Sequence, residues 1–351
     1  MDFALSDEQV ALAETERAWL TKHDPLLTRR PTIDDGPATV PGPALDHVAG
    51  SGLVGLLTSE AGGTHADLLV LCEEHGRAGS AVPLAELAIA CRLLEQIAHP
   101  LLEAAATGEL PTLPAVGSVE SPALHACIAG SDLHLHGTTA PVTGLLDAAR
   151  ILVVVSATDG TEVVAPVAVE DVTIRTLDTL DVTRSWAVAD IDVTLGAGAW
   201  TPVPAGTLAR VRDELATYRA VDALGAASRL LDLTVEYAGQ RTQFGREIGS
   251  FQAVKHHCAN MALSVEASRA ALWAAAVALD GNDSRERTRA VSAAAAFAGE
   301  GASTTAQTAL QVHGGIGFTW EHDVHLLIRR IKLDELLDGS VSYHRRRSIG
   351  A

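Results

Sequence analysis

The spacing of hydrophobic positions changes twice along the chain. From residue 208 onward they step by three or four: Leu208, Val211, Leu215, Tyr218, Val221, Gly225, Ser228, Leu231, Val235 and Ala238, then Phe251, Val254, Cys258, Met261, Val265, Ser268 and Leu272. That is the helical period. With segments at 284–311 and 322–336 it predicts four helices on short links, three of them well beyond the usual length of about 11–12 residues. The expectation for 199–351 is an antiparallel four-helix bundle. Between 113 and 198 the texture is different. Ile151–Val155, Glu162–Val164, Val172–Ile174 and Ala187–Val193 are short β-branched runs separated by Gly, Asp and Pro. In the last run Ala187, Ala189, Ile191 and Val193 alternate with mostly polar neighbours, as in a half-buried strand. This stretch predicts an antiparallel β domain.

Residues 1–112 read as helices with breaks. Ser6 opens a helix to Leu20 as N-cap, with acidic residues in its first turn. Pro25, Pro31, Pro41 and Pro43 then mark a loop, and helical runs follow at 64–78, 83–97 and 99–106. The expected fold class is α+β: an N-terminal helical domain over 1–112, a middle β domain over 113–198 and the C-terminal bundle over 199–351.

Composition narrows the function. A hydrophobic content of 47 % excludes wholesale disorder, and alanine tracts with only 4 % aromatics suit closely packed helices. A net charge of −18 leaves no basic surplus for nucleic acid. Lys22, Lys255 and Lys332 are the only lysines, so arginine must carry any anion contacts. Cys72, Cys91, Cys127 and Cys258 lack CxxC spacing, which argues against a zinc knuckle. The acidic N-terminus and the lack of an 18-residue apolar run lead us to expect a soluble cytoplasmic protein with no membrane partner.

General catalytic motifs fail: there is no HExxH, P-loop or GxSxG. His322 and His325 are three apart without a third ligand nearby, and no metal is expected. The adjacent His256 and His257 face different directions on their helix, so at least one is expected to pack inside the bundle. Gly314-Gly-Ile-Gly317 follows a helix rather than a strand, which rules out a Rossmann turn.

Two segments between long helices carry more. Arg241-Thr-Gln-Phe-Gly-Arg-Glu-Ile-Gly-Ser-Phe-Gln252 has the pattern R-x-x-F-G-x-x-I-x-x-F-Q, and Gln311-Val-His-Gly-Gly-Ile-Gly-Phe318 has Q-x-x-G-G-x-G-F. With Gly52-Leu-Val-Gly-Leu, Gly62-Gly and Cys72-Glu-Glu upstream, and the helical–β–helical order, the chain resembles the acyl-CoA dehydrogenase family over almost its whole length. The resemblance implies FAD-dependent α,β-dehydrogenation of an acyl-CoA thioester. A carboxylate takes the α-proton while the β-hydrogen leaves as hydride to the flavin. It assigns Arg241 to the FAD pyrophosphate, and Phe244, Gln311, Gly314 and Gly315 to the adenosine half, serving the flavin of a neighbouring subunit.

The chain also departs from the family. The usual base, a Glu in Tyr-Glu-Gly-Thr, becomes Asp338 in Leu337-Asp-Gly-Ser340. Losing a methylene withdraws the carboxylate by roughly 1–1.5 Å, a displacement that can cost about a hundredfold in rate. Some relatives place the base upstream, where this chain has Leu215. Glu214 is one step away, turned by about 100°, and is expected to be a solvated surface residue. The family's T-E-P-x-x-G-S-D is replaced by Val116-Gly-Ser-Val-Glu-Ser-Pro-Ala123. Its G-x-K-x-W-I-T-N is replaced by Gly137-Thr-Thr-Ala-Pro-Val-Thr-Gly144, without the tryptophan and with Pro141 lacking an N–H. The chain thus resembles the short subunit of heterotetrameric (two plus two) bacterial acyl-CoA dehydrogenases, such as those of steroid side-chain degradation. In that reading a homologous partner holds the flavin ring and the catalytic Glu. Two alternatives stand beside it: a self-sufficient homo-oligomeric flavoenzyme using Asp338, and a flavin-free acyl-CoA-binding scaffold.

Overall fold

The structure, a computed structural model, describes residues 5–26, 38–121, 123–320 and 322–350. Pro31 of the expected proline loop lies outside them. The N-terminal helices are α1 (Asp7–His23), α2 (Gly42–Gly50), α3 (His65–Ala78), α4 (Leu84–Gln96) and α5 (Leu102–Ala106). Ser6 and Gln9 close a capping box on α1, as do Thr64 and Asp67 on α3. Read as part of a loop, Pro41 and Pro43 in fact launch α2. Proline lacks only an N–H that the first turn leaves free anyway.

Nine strands follow: β1 (Thr112–Ala115), β2 (Leu124–Ala129), β3 (Asp132–Thr138), β4 (Val142–Thr143), β5 (Arg150–Ser156), β6 (Glu162–Ala168), β7 (Thr173–Thr176), β8 (Trp186–Leu195) and β9 (Thr201–Val203). They form one sheet in the order β1-β5-β6-β9 and another in the order β2-β3-β8-β4, with β7 also on β8. Among the described residues every strand–strand ladder but one is antiparallel. β1 runs parallel to β5, Leu113 opposite Ile151, because the chain makes β2–β4 in the other sheet before returning beside β1. The expectation of a purely antiparallel domain is corrected there.

The bundle comprises α6 (Thr207–Gln240), a two-strand hairpin of β10 (Thr242–Gln243) and β11 (Arg246–Glu247), α7 (Gln252–Asp280), α8 (Ser284–His313) and α9 (Val324–Asp334). A further helix, α10 (Val341–Gly350), was not foreseen. The helix α6 is central. It touches α3 so closely that a Cβ on Gly225 would lie 2.1 Å from the Glu73 carbonyl oxygen, and one on Gly76 would lie 2.4 Å from that of Asp222. Only glycine permits this backbone-to-backbone crossing.

By length and composition α7 is apolar enough to cross a membrane, yet it packs along α6 and α8. In its first turns only Val254 and Cys258 are half-buried, with Phe251 just ahead of them. His256 and His257 fall outside that strip and are both exposed, so neither packs in the bundle as expected.

Candidate active site

The arginine motif forms the corner between α6 and α7. The Arg241 N–H caps α6 on the Tyr237 carbonyl, and the Ile248 N–H donates to the Arg241 carbonyl at 2.8 Å. Between β10 and β11, Phe244 (φ 52°) and Gly245 (φ 79°) make a two-residue turn with both residues left-handed. Glycine adopts this freely, but for phenylalanine it is strained by about 1–3 kcal/mol. The strained ring is nevertheless 91 % exposed. Below it Phe251 packs edge-on against Phe244, and the Arg246 guanidinium lies 4.0 Å from the Phe251 ring centre.

The glycine motif arrives at the same end of the bundle. His313, at the end of α8, stacks on Tyr237 at 4.6 Å and meets His322 edge-on at 4.9 Å, so the ends of α6 and α8 are pinned together. The chain then turns through Gly314 (φ 62°) and Gly315, where an added Cβ would meet nothing within 4 Å. Arg241, Phe244, Gln311, Gly314 and Gly315 are all exposed, and no ion pair of Arg241 is found among the described residues. A free guanidinium, an uncovered aromatic ring and glycines under open space suit the pyrophosphate and adenosine of FAD. They offer one wall of a site, with open space over Gly314 and Gly315 among the described residues.

Asp338 lies in a different setting. Past the end of α9 it too is left-handed (φ 56°), followed by Gly339 at φ 110°. The Arg219 Nε donates to Asp338 Oδ2 at 3.2 Å, and the Arg219 Nη2 donates to Glu86 Oε1 at 3.1 Å. The segment around Val116–Glu120 and the Ala140-Pro141 step, which stand in place of the family's flavin-side motifs, join Arg212 and Leu336–Gly339 around a cavity of only about 70 Å³. Arg212 Nη2 donates to the Gly117 carbonyl, and Ser340 Oγ to Glu120 Oε1, holding the segment against the bundle. Ligand pockets run to about 300–1,000 Å³, so the residues here do not fit a flavin ring. A larger cleft of about 350 Å³, lined by Arg17, Leu20, Arg77, Arg229, Leu233 and Leu327 among others, touches neither Asp338 nor the corner.

Behind Asp338 is a buried ionic network that sequence reasoning missed. Arg330 grips Asp222 with two bonds of 2.6 and 2.7 Å and also donates to Thr183 Oγ1 and the Ser80 carbonyl. Arg184 reaches Asp181 at 2.7 Å, Asp334 at 2.6 Å and Asp222 at 3.2 Å. Trp186 sits between the Arg184 and Arg219 guanidiniums, at 5.0 and 4.7 Å. Burial pushes both carboxyls of the Asp222–Asp334 pair upward. Arg184 and Arg330 overcome this at Asp222 and hold it far below the usual range. Asp334 remains raised by burial, and by the Asp222 charge, despite Arg184 and Arg219. Within the pair the arginines thus favour the charge on Asp222, and burial favours the proton on Asp334. A signal did exist: Asp222 lies four residues after Tyr218 and three before Gly225, on the very stripe that reads as apolar.

Glu214 is a second correction. Expected in solvent, it is fully buried, with Arg92 Nη2 at 2.7 Å, Arg210 Nε at 3.2 Å and His65 Nε2 at 3.4 Å. Burial disfavours its charge, but Arg92, His65 and Arg210 outweigh that and hold it down to about 2. The reason is that α6 is enclosed on all sides from Asp213 to Ser228, with Asp213 and Thr217 also fully buried. The rule that one helix face meets water does not apply to it.

The family profile described as "Acyl-CoA dehydrogenase, C-terminal domain" matches residues 213–350. Among curated proteins, the chain is 32 % identical to the acyl-CoA dehydrogenase FadE34 of Mycobacterium tuberculosis, over 97 % of this chain and 48 % of that one. It thus spans about half the length of that relative. It is also 32 % identical to the acyl-CoA dehydrogenase IpdE2 of Mycolicibacterium smegmatis, over 93 % of each. Among solved structures, the ChsE4-ChsE5 complex from Mycobacterium tuberculosis shares the fold with a TM-score of 0.90 at 23 % identity, covering 100 % of this chain and 98 % of that one. The steroid ACAD Tcur3481-Tcur3483 gives 0.87 at 26 % identity, covering 98 % and 97 %. With the two motifs, the three-part fold and these relatives in agreement, the chain belongs to the acyl-CoA dehydrogenase family.

Proposed function

We propose that this chain is a subunit of a heteromeric acyl-CoA dehydrogenase that lends adenosine and pyrophosphate contacts to the FAD of its partner. One contrast carries the reading. The adenosine-side residues stand free at an open corner, while the chain's own ring-side cavity is about 70 Å³ and its Asp338 is engaged by Arg219. Arg241 would meet the pyrophosphate of an FAD held by a homologous partner. Phe244, Gln311, Gly314 and Gly315 would border its adenosine, and the partner would supply the catalytic Glu. FAD, when bound, accepts the β-hydride; this chain's part is to grip the far end of the cofactor.

Uncovered apolar side chains on the bundle agree with a partner. Phe318, Trp320 and Ile316 beside the glycine turn are 73 %, 55 % and 41 % exposed, and Leu263 on α7 is 70 % exposed. Such a patch is what an interface buries. A steroid-CoA substrate is the favoured class, supported by the similarity to the steroid ACAD Tcur3481-Tcur3483.

The test is to purify the chain alone and together with a homologous dehydrogenase that has an intact Glu, reading flavin absorbance near 450 nm per chain. The expected result is little flavin on the single chain, about one FAD per pair in the complex, and turnover only there. One FAD per isolated chain with acyl-CoA turnover would overturn the proposal and return Asp338 to the role of base. Loading of the complex that ignores Arg241→Ala would instead favour a flavin-free scaffold.

A further inference from the structure

The exposed face of the second sheet carries three histidines that the dehydrogenase reading leaves without a task. In the antiparallel pairing of β2 and β3, His125 lies directly opposite His136, and Cys127 directly opposite His134. The intervening Leu124, Ala126, Leu133 and Leu135 are buried, so strand alternation turns all three histidines and the thiol outward. The His136 ring lies in the middle, 5.2 Å from the His125 ring and 5.3 Å from the His134 ring, with interplanar angles of 28° and 21°. On the other flank β8 places Asp192 opposite His136, and its Oδ1 lies 3.1 Å from His134 Nε2.

Stacked imidazoles in water gain little from one another and repel once protonated. The same arrangement is well matched to a borderline divalent cation, because imidazole is the favoured donor for zinc and two histidines spaced i, i+2 on a strand share a face with a third across the ladder. As they stand the rings lie face to face, and among the described residues no three donors already surround one point. Zinc–nitrogen bonds of about 2.0–2.1 Å would set the nitrogens roughly 3.3 Å apart in a tetrahedron. The ring centres start 5.2 and 5.3 Å apart and the side chains are exposed, so turning about their side-chain torsions is what must bring the nitrogens together. Asp192 on His134 Nε2 is the carboxylate partner that orients a metal-binding histidine and leaves its other nitrogen free.

We propose that His125, His134 and His136 form a zinc-binding site on the outer face of the β domain, with Cys127 beside it as the fourth donor. The site is independent of FAD and of the partner subunit. Reading the sequence led to an expectation of no metal because it weighed the helical pair His322 and His325. The strands that bring His125, His134 and His136 together were not read as strands.

The experiment is calorimetric titration of zinc chloride into the full chain after chelator treatment, with thermal midpoints recorded in parallel. The expected result is about one zinc per chain and a rise of the midpoint with zinc. His136→Ala should weaken binding by at least tenfold and abolish the zinc-dependent rise, with His125→Ala as a second, independent variant. The double change His256→Ala with His257→Ala should leave binding intact. Absence of zinc binding, or equal affinity in wild type, His136→Ala and His125→Ala, would overturn the site. Flavin loading of the complex is read separately and does not depend on either outcome.

Discussion

Two regions of this molecule present arginine in opposite ways. At the corner of α6 and α7, Arg241 is exposed and has no ion pair among the described residues, beside a phenylalanine that is 91 % exposed. At the centre, Arg184, Arg219 and Arg330 are buried and each is matched to carboxylates. The first arrangement costs the chain stability, through a strained Phe244 and uncovered surface, with no return inside the chain itself. The second spends its charges entirely on itself, tying the loop before β8 and the turn before α4 to α6 and α9. Charges left unmatched point to something outside the chain, whereas charges matched internally hold the domains together and close the space a ligand would need.

The comparison breaks most visibly at the centre. Arg330→Leu should lower unfolding free energy by about 3–5 kcal/mol, because it leaves the Asp222 charge buried with fewer partners. Urea denaturation of the isolated chain reads this, and a loss under about 1 kcal/mol would show that the network is not a structural keystone. Next is Glu214. Its folded value of about 2 lies below the ordinary value of 4.5, so its contribution is fully present above pH 4.5 and is lost as pH falls through about 2. The contribution is about 3 kcal/mol at most. Stability measured from pH 6 to pH 2 should fall less steeply in Glu214→Gln than in wild type, and parallel curves would refute the assignment.

The open corner should behave in reverse. Arg241→Ala should leave the stability of the isolated chain within about 0.5 kcal/mol. In the complex it removes charge-assisted bonds worth about 1.5–3 kcal/mol, which is roughly ten- to a hundredfold in FAD retention. Flavin released on dilution, followed at 450 nm, checks this. A large stability loss without a flavin effect would mean the corner is merely structural.

These two regions were unequally legible in the sequence. The corner was readable because each motif is one contiguous segment whose glycines, arginine and aromatic stand together, and the long period of α6 to α8 fixed where those segments fall. The network was not, since Asp181, Arg184, Asp222, Arg330 and Asp334 come from three separated stretches that only the fold brings together. Glu214 was misplaced for a related reason: periodicity assumes a wet face, and α6 has none along that turn. β2 and β3 went unread because His125, Cys127, His134 and His136 make their outward positions look like loop residues. α2 was hidden by prolines that begin a helix as readily as they end one.

The finest test separates the two carboxyls inside the network. Asp222 is clasped by Arg330 and held low, while Asp334 is raised by burial, its Oδ2 receiving no hydrogen bond. Because the folded chain raises Asp334 above its ordinary carboxyl value, its contribution is fully present below that value and declines as pH rises past it. Asparagine needs no proton and keeps both a donor and an acceptor in nearly the same volume. Asp334→Asn should therefore stay within about 1 kcal/mol of wild type near pH 6 and lose less stability between pH 6 and pH 8. Asp222→Asn, which removes the charge that two arginines face, should be much the worse of the two at both pH values. Denaturation midpoints of the two variants at both pH values decide it. If Asp334→Asn proves the more damaging, the proton resides on Asp222 and the assignment of the pair is reversed.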